Sequence, residues 1–389
     1  MTVMDGELIT TAQAADLLGV RIATVYSYVS RGLLRPAGSR RSRHEGSMFL
    51  RDEVAAMVDA RRRVRRGRFE LTIDTAVTSV EPSGVLLYRG HDVAELATLE
   101  SFETVAEIVW GGPAGEDDWP ECALPEPNER LGTRDIVLWA ISQAAMSDSD
   151  RESLSPNHFR VAGRRSIVAA ATALAQRNGA SGEGRVARRV LAGLATGTPS
   201  TSVERALEVA LGLLADHELA TSTLAARAAA STGADPYAVM TAGVAALGGV
   251  RHGGASGAAY DVLRAAMDGQ RPTDGPVAGF GHTVYTDTDP RAAVLLDLVA
   301  GFDDEIAAAT DAFALQMRRQ TGLAPNVDLG LAALSLACRL PRHTGETVFS
   351  IARLAGFVAH GIEEQGHPLR FRPRATYTGE LPRPTSGPE

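Results

Sequence analysis

The chain has 389 residues, 44% of them hydrophobic, and a formal net charge of −8. That length accommodates two or three domains with a large core, and the composition is ordinary for a soluble globular protein. All 39 basic residues are arginine, which excludes Schiff-base and P-loop lysine chemistry, and two cysteines without metal spacing exclude a disulfide scaffold. The longest nearly apolar run, residues 239–250, is far short of a bilayer span, and the start MTVMDGELIT has neither a basic region nor an apolar signal core. A cytoplasmic protein with no membrane association is expected. Aromatics are scarce at 5% while Ala and Leu abound, so the fold class expected is mainly α.

Charge is segregated. Residues 1–68 hold 13 Arg against 7 acidic residues, whereas the remaining 26 Arg face 40 acids. A basic head therefore precedes an acidic body, with RRRVRRGR (61–68) as the junction. In the head, Thr11 is a plausible N-cap for the short helix AQAADLL. Gly19 then makes the turn into a second helix, ATVYSYVSR, which Gly32 stops. Ala15, Leu18, Val20, Val25 and Val29 form its expected core, leaving Arg21, Thr24 and Ser27 outward at the start of the second helix. A basic loop containing Arg40, Arg41 and Arg43, a short apolar strand and FLRDEVAAMV follow. In this order the segments resemble the helix-turn-helix and wing of the MerR/excisionase class. The resemblance implies that residues 1–66 bind double-stranded DNA.

The body opens on ELTIDTAVTSVEPSGVLLYRGHDVAELATLESFETVAEIVWGG, and the Pro, Gly and acid-rich stretches 111–132 and 147–158 read as surface loops. In STSVERALEVALGLLADHELATS, Leu207, Leu211 and Leu214 recur at helical spacing and direct His217 inward on the same face. VRHGGAS (250–256) sets His252 beside two glycines, which suits either a close approach to the main chain or an unusual turn of the backbone. GFGHTVYTDTDPR (279–291) supplies His282 and Arg291, PNVDLG supplies Asp328, FSIARLAGFVAHGIEEQ carries Arg353, and RFRPRATYTGE adds Arg372 and Arg374. This inventory suits binding of a dicarboxylate by arginines while acid and base groups work on a carbon acid.

These motifs, taken in order over roughly residues 69–380, resemble the citrate synthase family. The resemblance implies a two-domain helical fold preceded by the helix-turn-helix domain. Residues 67–257 with 341–389 would form a large domain, and residues 258–340 a small domain that closes over substrates. It implies condensation of acetyl-CoA with oxaloacetate, with propionyl-CoA as the alternative thioester, and with neither a metal nor a permanent cofactor. Asp328 would be the base, His252 the donor to the enol oxygen, and His282 the group polarising the ketone. His217 would orient the oxaloacetate, and Arg291, Arg353 and Arg372 would hold carboxylates, Arg372 from the neighbouring subunit of a homodimer. Ser256 stands where the family usually has Asn, and Thr283 and Thr286 where it usually has cations, the latter at a CoA phosphate contact. A metabolite-sensing regulator built on an inactive body is the alternative reading.

Overall fold

The computed structural model describes residue 371 and residues 7–367 except 19, 21, 31–33, 38–46, 56–71, 82, 113–118, 196, 198–199, 250–251, 271–275 and 286. The chain divides into two compact units, residues 1–74 and 75–389.

In the first unit, strand β1 (Leu8–Thr10) leads directly into α1 (Thr11–Leu18), and α2 (Ile22–Ser30) follows. Strand β2 (Met48–Leu50) pairs antiparallel with β1, Ile9 opposite Phe49. The cap of α1 falls one residue before the expected position. Thr10 Oγ1 accepts from the Gln13 N–H at 3.3 Å while Gln13 Oε1 accepts from the Thr10 N–H at 2.8 Å, a reciprocal capping box. Thr11 instead donates its hydroxyl to the Ser47 carbonyl oxygen at 3.0 Å, tying the helix to the strand pair. Ile9, Ala14, Ala15, Leu18, Val25, Leu34, Phe49 and Val54 make a core of their own, with Val20, Tyr28 and Val29 packed against it.

Among its described residues, the second unit is mainly helical with one small antiparallel sheet, β3 (Thr78–Val80), β4 (Leu86–Tyr88) and β5 (His91–Asp92). Helices α3 (Val93–Leu99) and α4 (Phe102–Val109) follow the sheet; α5 (Thr133–Met146), α6 (Pro156–Arg177) and α7 (Val186–Leu194) build one side of the core. The stretch expected as a loop to residue 158 ends sooner, because Ser155 caps α6 by accepting from the His158 N–H and Pro156 starts the helix. Helices α8 (Thr201–Leu214), α9 (Thr221–Ala230) and α10 (Pro236–Leu247) come next. Then α11 (Ala255–Met267), α12 (Pro290–Val299), α13 (Asp304–Thr321) and α14 (Val327–Ala337) pack among themselves, α14 against the other three.

The last helix, α15 (Thr344–Glu364), packs on α6, α8, α9 and α10 and also touches α11 and α14. Almost all of its residues are buried, including the charged or polar Arg353, His360 and Glu364. A helix buried on every side cannot leave such groups to water, so each must meet a partner or a ligand. Among the described residues, no helix is long and apolar enough to cross a membrane.

Candidate active site

Six of the histidines, arginines and carboxylates singled out from the sequence line one cavity of about 620 Å3: His217, His252, His282, Arg291, Asp328 and Arg353. They come from five separate segments, and a small number of local contacts brings them together. His217 does not lie on a continuing helical face as the leucine spacing suggested. Helix α8 ends at Leu214, and the chain turns through Ala215 and Asp216 to Glu218, whose φ of 47° is left-handed. This turn is pinned from three sides. The Tyr88 hydroxyl lies 2.8 Å from the Asp216 carbonyl oxygen and accepts from the Asp216 N–H; Thr78 Oγ1 donates to Asp216 Oδ2 at 2.5 Å; and His360 Nε2 lies 3.1 Å from the same oxygen. Gly356 lets α15 approach this turn, since a Cβ there would stand 2.3 Å from Asp216 Oδ1 and 2.7 Å from the Ala215 carbonyl oxygen. Its N–H donates to that carbonyl at 2.9 Å.

The same approach places Arg353. Its Nε donates to the Leu214 carbonyl oxygen at 3.0 Å, and its guanidinium carbon sits 4.8 Å from the centre of the Phe349 ring. Both terminal nitrogens are buried without a hydrogen-bond partner among the described residues, in a side chain that is 0% exposed. Burial holds the guanidinium below its ordinary pKa, with the Asp216 carboxylate partly offsetting it. A buried, fork-shaped donor with two unused arms on a cavity wall is built for a carboxylate. Arg291 is held differently. Asp289 grips it with Nε to Oδ1 at 3.0 Å and Nη2 to Oδ2 at 2.9 Å, and Tyr285 lies beneath it with 5.6 Å from the guanidinium carbon to the ring centre.

The loop at His252 answers to its glycines. The Gly253 N–H donates to the Leu247 carbonyl oxygen at 2.8 Å, and a Cβ at Gly253 would lie 2.8 Å from that oxygen. The turn therefore folds tightly onto the end of α10 and lifts His252 to the start of α11. His252 Nε2 lies 2.8 Å from Ser222 Oγ, and its ring is edge-on to Phe349. Burial, reinforced by the Arg353 charge, pushes its pKa down to about 4. The ring is thus neutral at pH 7.

His282 and Asp328 are locked to each other by Asn326. The Asn326 side-chain amide donates to the Gly281 carbonyl oxygen at 2.9 Å while its oxygen caps α14 by accepting from the Asp328 N–H at 3.0 Å. Asp289 Oδ2 also accepts from the Val327 N–H at 2.9 Å, so the clamp on Arg291 is continuous with the helix start that carries Asp328. His282 Nδ1 accepts from the Val284 N–H at 3.1 Å, which in the neutral ring leaves Nε2 as the N–H donor. Burial and the nearby Arg291 lower the His282 pKa; burial, then Arg291, Arg353 and His282, take His217 well below its usual value. His217 Nε2 lies 3.0 Å from the Tyr285 hydroxyl. Asp328 is pushed the other way. Burial raises its carboxyl to about 6, against the pull of Arg291 and with the help of the Asp289 charge. Neutral imidazoles, a carboxyl poised near neutrality and a buried free guanidinium together form a site for proton transfer at carbon beside a bound carboxylate.

Arg372 and Thr286 lie outside the described residues, as do Arg21, Arg40, Arg41 and Arg43 and the side chain of Ser27. Thr283 lines the cavity. Ser256 is buried against the Cα of Gly345, where a Cβ would come within 2.6 Å of its Oγ, so this position serves the packing of α11 on α15. Asp216, Tyr285, Asp289 and Asn326 were not singled out from the sequence. For Asp289 and Asn326 a signal existed, since Asp-Pro and Asn two residues before an acid are helix-start patterns. For Asp216 and Tyr285 none did, because their partners are remote in the chain.

Residues 70–374 match the family model for the citrate synthase C-terminal domain. The chain belongs to the citrate synthase family. A helix-turn-helix domain model matches residues 8–62. The 2-methylcitrate synthase of Mycobacterium tuberculosis is 28% identical over 377 residues, covering 86% of this chain and 95% of that protein. The citrate synthase of Haloferax volcanii is 30% identical over 348 residues, covering 77% and 90%. Among solved structures, the citrate synthase of Thermoplasma acidophilum in ternary complex with carboxymethyl coenzyme A and oxaloacetate shares the fold. Its TM-score is 0.67 at 23% identity, over 82% of this chain and 97% of that one.

Proposed function

We propose that the body condenses a short acyl-CoA with oxaloacetate, giving citrate from acetyl-CoA or 2-methylcitrate from propionyl-CoA, and that the basic head binds duplex DNA. The enzyme would work in the cytoplasm as a homodimer, with Arg372 completing the partner's site. Residues 258–340 would be the small domain that closes on the large domain formed by 67–257 and 341–389. One observation carries the enzymatic reading: six acid, base and arginine side chains from five segments meet on one cavity with complementary protonation states.

In this reading Arg353 and Arg291 hold the carboxylates of oxaloacetate, and His217 orients it. Asp328 takes a proton from the carbon next to the thioester carbonyl. With Ser222 donating to Nε2, His252 presents its Nδ1–H to the thioester oxygen as charge develops there. The enol carbon then attacks the ketone carbon, whose oxygen takes a proton from His282 Nε2. Water finally cleaves the thioester, releasing the dicarboxylate-bearing acid and the CoA thiol. A carboxylate of ordinary acidity would be a weaker base for this task; one raised to about 6 remains ionised at pH 7 and gains basicity. This tuning favours a working enzyme over an inactive sensor.

The test is thiol release by purified protein given oxaloacetate with acetyl-CoA or propionyl-CoA. Release is expected with one or both, and the ratio of kcat/KM values assigns the acyl chain. A folded protein that binds oxaloacetate yet releases no thiol with either would move the assignment to the sensor.

A further inference from the structure

The second helix of the head presents an unexpected face. Val25 is fully buried, Tyr28 and Val29 pack on the head's core, and Thr24, read from the sequence as outward, is half-buried. Among the described side chains of α2, the exposed ones are Ile22, 48% exposed, and Tyr26, 50% exposed, four residues apart and so on one side of the helix. Neither belongs to the head's hydrophobic cluster. An isoleucine and a tyrosine exposed one helical turn apart on the second helix leave that side of it available for contact. The sequence of residues 1–68 is strongly basic, 13 arginines against 7 acids, a charge complementary to a phosphate backbone.

In a helix-turn-helix the first residues of the second helix approach base edges in the major groove. The apolar feature displayed there is the C5 methyl group of thymine. We infer that Ile22 and Tyr26 read thymine methyl groups, so that the bound half-site carries A·T pairs opposite the start of α2. This rests on the head binding duplex DNA, and it adds which chemistry selects the sequence. Arginines supply affinity through phosphates; the apolar pair supplies the discrimination.

Removing only the methyl tests it. Bound sequences are selected from a random duplex library with the full-length protein, and the selected duplex is compared with copies carrying deoxyuridine in place of individual thymines. The wild-type chain is expected to lose about fourfold in affinity for each contacted methyl. Ile22→Ala and Tyr26→Ala should each become indifferent to one of these replacements, while Leu17→Ala, an exposed apolar position on α1, keeps full discrimination. The wild-type comparison needs no variant, so a misfolded variant leaves the inference exposed to refutation. Tight binding of the selected duplex with no response to deoxyuridine overturns methyl reading while sparing DNA binding. A library that enriches nothing removes DNA binding itself, and methyl reading falls with it. Unchanged DNA recognition in Ile22→Ala and Tyr26→Ala, together with a changed oligomeric mass, would assign the face to a protein contact instead and equally overturn it.

Discussion

The two units differ in where their distinctive residues lie, buried in the body and exposed in the head. In the body the distinctive residues are buried: Arg353, Asp216 and His360 are all 0% exposed, and the histidines that line the cavity with Arg353 have pKa values that burial depresses. In the head the distinctive residues are those left outside a core of eight buried side chains. Burying a charge is costly, so a folded body that keeps one must hold it with specific partners or offer it to a ligand. An exposed face has no such requirement. Its chemistry follows from which side chains the helix phase leaves in water.

The largest effect should come from the body's base. Asp328→Ala is expected to lower kcat by about 10²–10⁴-fold with the KM for oxaloacetate little changed, because the carboxylate acts in the transition state and not in ground-state binding. Deleting residues 1–66 should leave kcat within a factor of about two, since every residue of the cavity lies beyond 200 and the body has its own core. Steady-state thiol release by both proteins decides it. A body that loses its activity with the head would mean that the two units are not functionally separable.

Next in size is Arg353→Ala. Its two terminal nitrogens have no partner among the described residues and are open to a carboxylate, and truncating a buried charge-paired group costs about 2–5 kcal/mol. A rise in the KM for oxaloacetate of about 10²-fold or more is expected, with the KM for the thioester changing far less. Equal effects on both substrates would remove Arg353 from the dicarboxylate site.

How much of this was legible in the sequence follows the same division. His217, His252, His282, Arg291, Asp328 and Arg353 could be named because each sits in a local motif, and the structure brings all six to one cavity. Their supports could not be. Asp216 meets Thr78 and His360 across 138 and 144 residues of chain, and no local pattern announces such a pairing. His217 was expected inward for the wrong reason: leucine spacing extended α8 beyond Leu214, whereas the turn pinned by Tyr88 does the orienting. In the head, a polar outward face was expected from residue type. Of that face only Thr24 has a described side chain, and it is half-buried beside the buried Val25; Arg21 and the Ser27 side chain lie outside the described residues.

Asp216 gives the next test, now of stability. Arg227 Nη1, which can only donate, lies 2.9 Å from His360 Nδ1, so His360 Nε2 carries the proton given to Asp216. Burial alone would raise the Asp216 carboxyl, yet His360, Arg353 and Thr78 hold it below the ordinary carboxylate range. Asp216→Ala removes the acceptor from this buried network and should destabilise the body by about 3–5 kcal/mol, read as a lower denaturation midpoint. Because the turn at Asp216 also positions His217 and the carbonyl that anchors Arg353, any folded fraction should show a raised KM for oxaloacetate. A variant as stable as the wild type would show that the network is not holding the turn.

The smallest expected effect has the opposite sign. A carboxyl whose folded-state pKa is raised binds its proton more tightly in the native chain than in the unfolded one. Asp328 therefore favours folding below about pH 4, and this contribution is lost as pH rises towards its folded value of about 6. Above that pH the ionised, partly buried carboxylate is a net cost to stability, one that the site retains because the ionised form is the base. Asp328→Asn, neutral at every pH, should melt about 2–5 °C above the wild type at pH 8, with the difference shrinking to near zero at pH 4. In the same range the wild-type kcat/KM should fall tenfold per pH unit below about 6, as the base is protonated. Melting curves and rates recorded on one pH series test the two together. If the activity midpoint falls near 4 while the variant gains nothing at pH 8, Asp328 is an ordinary carboxylate in solution, and the protonation pattern that supports catalysis in the body fails at its centre.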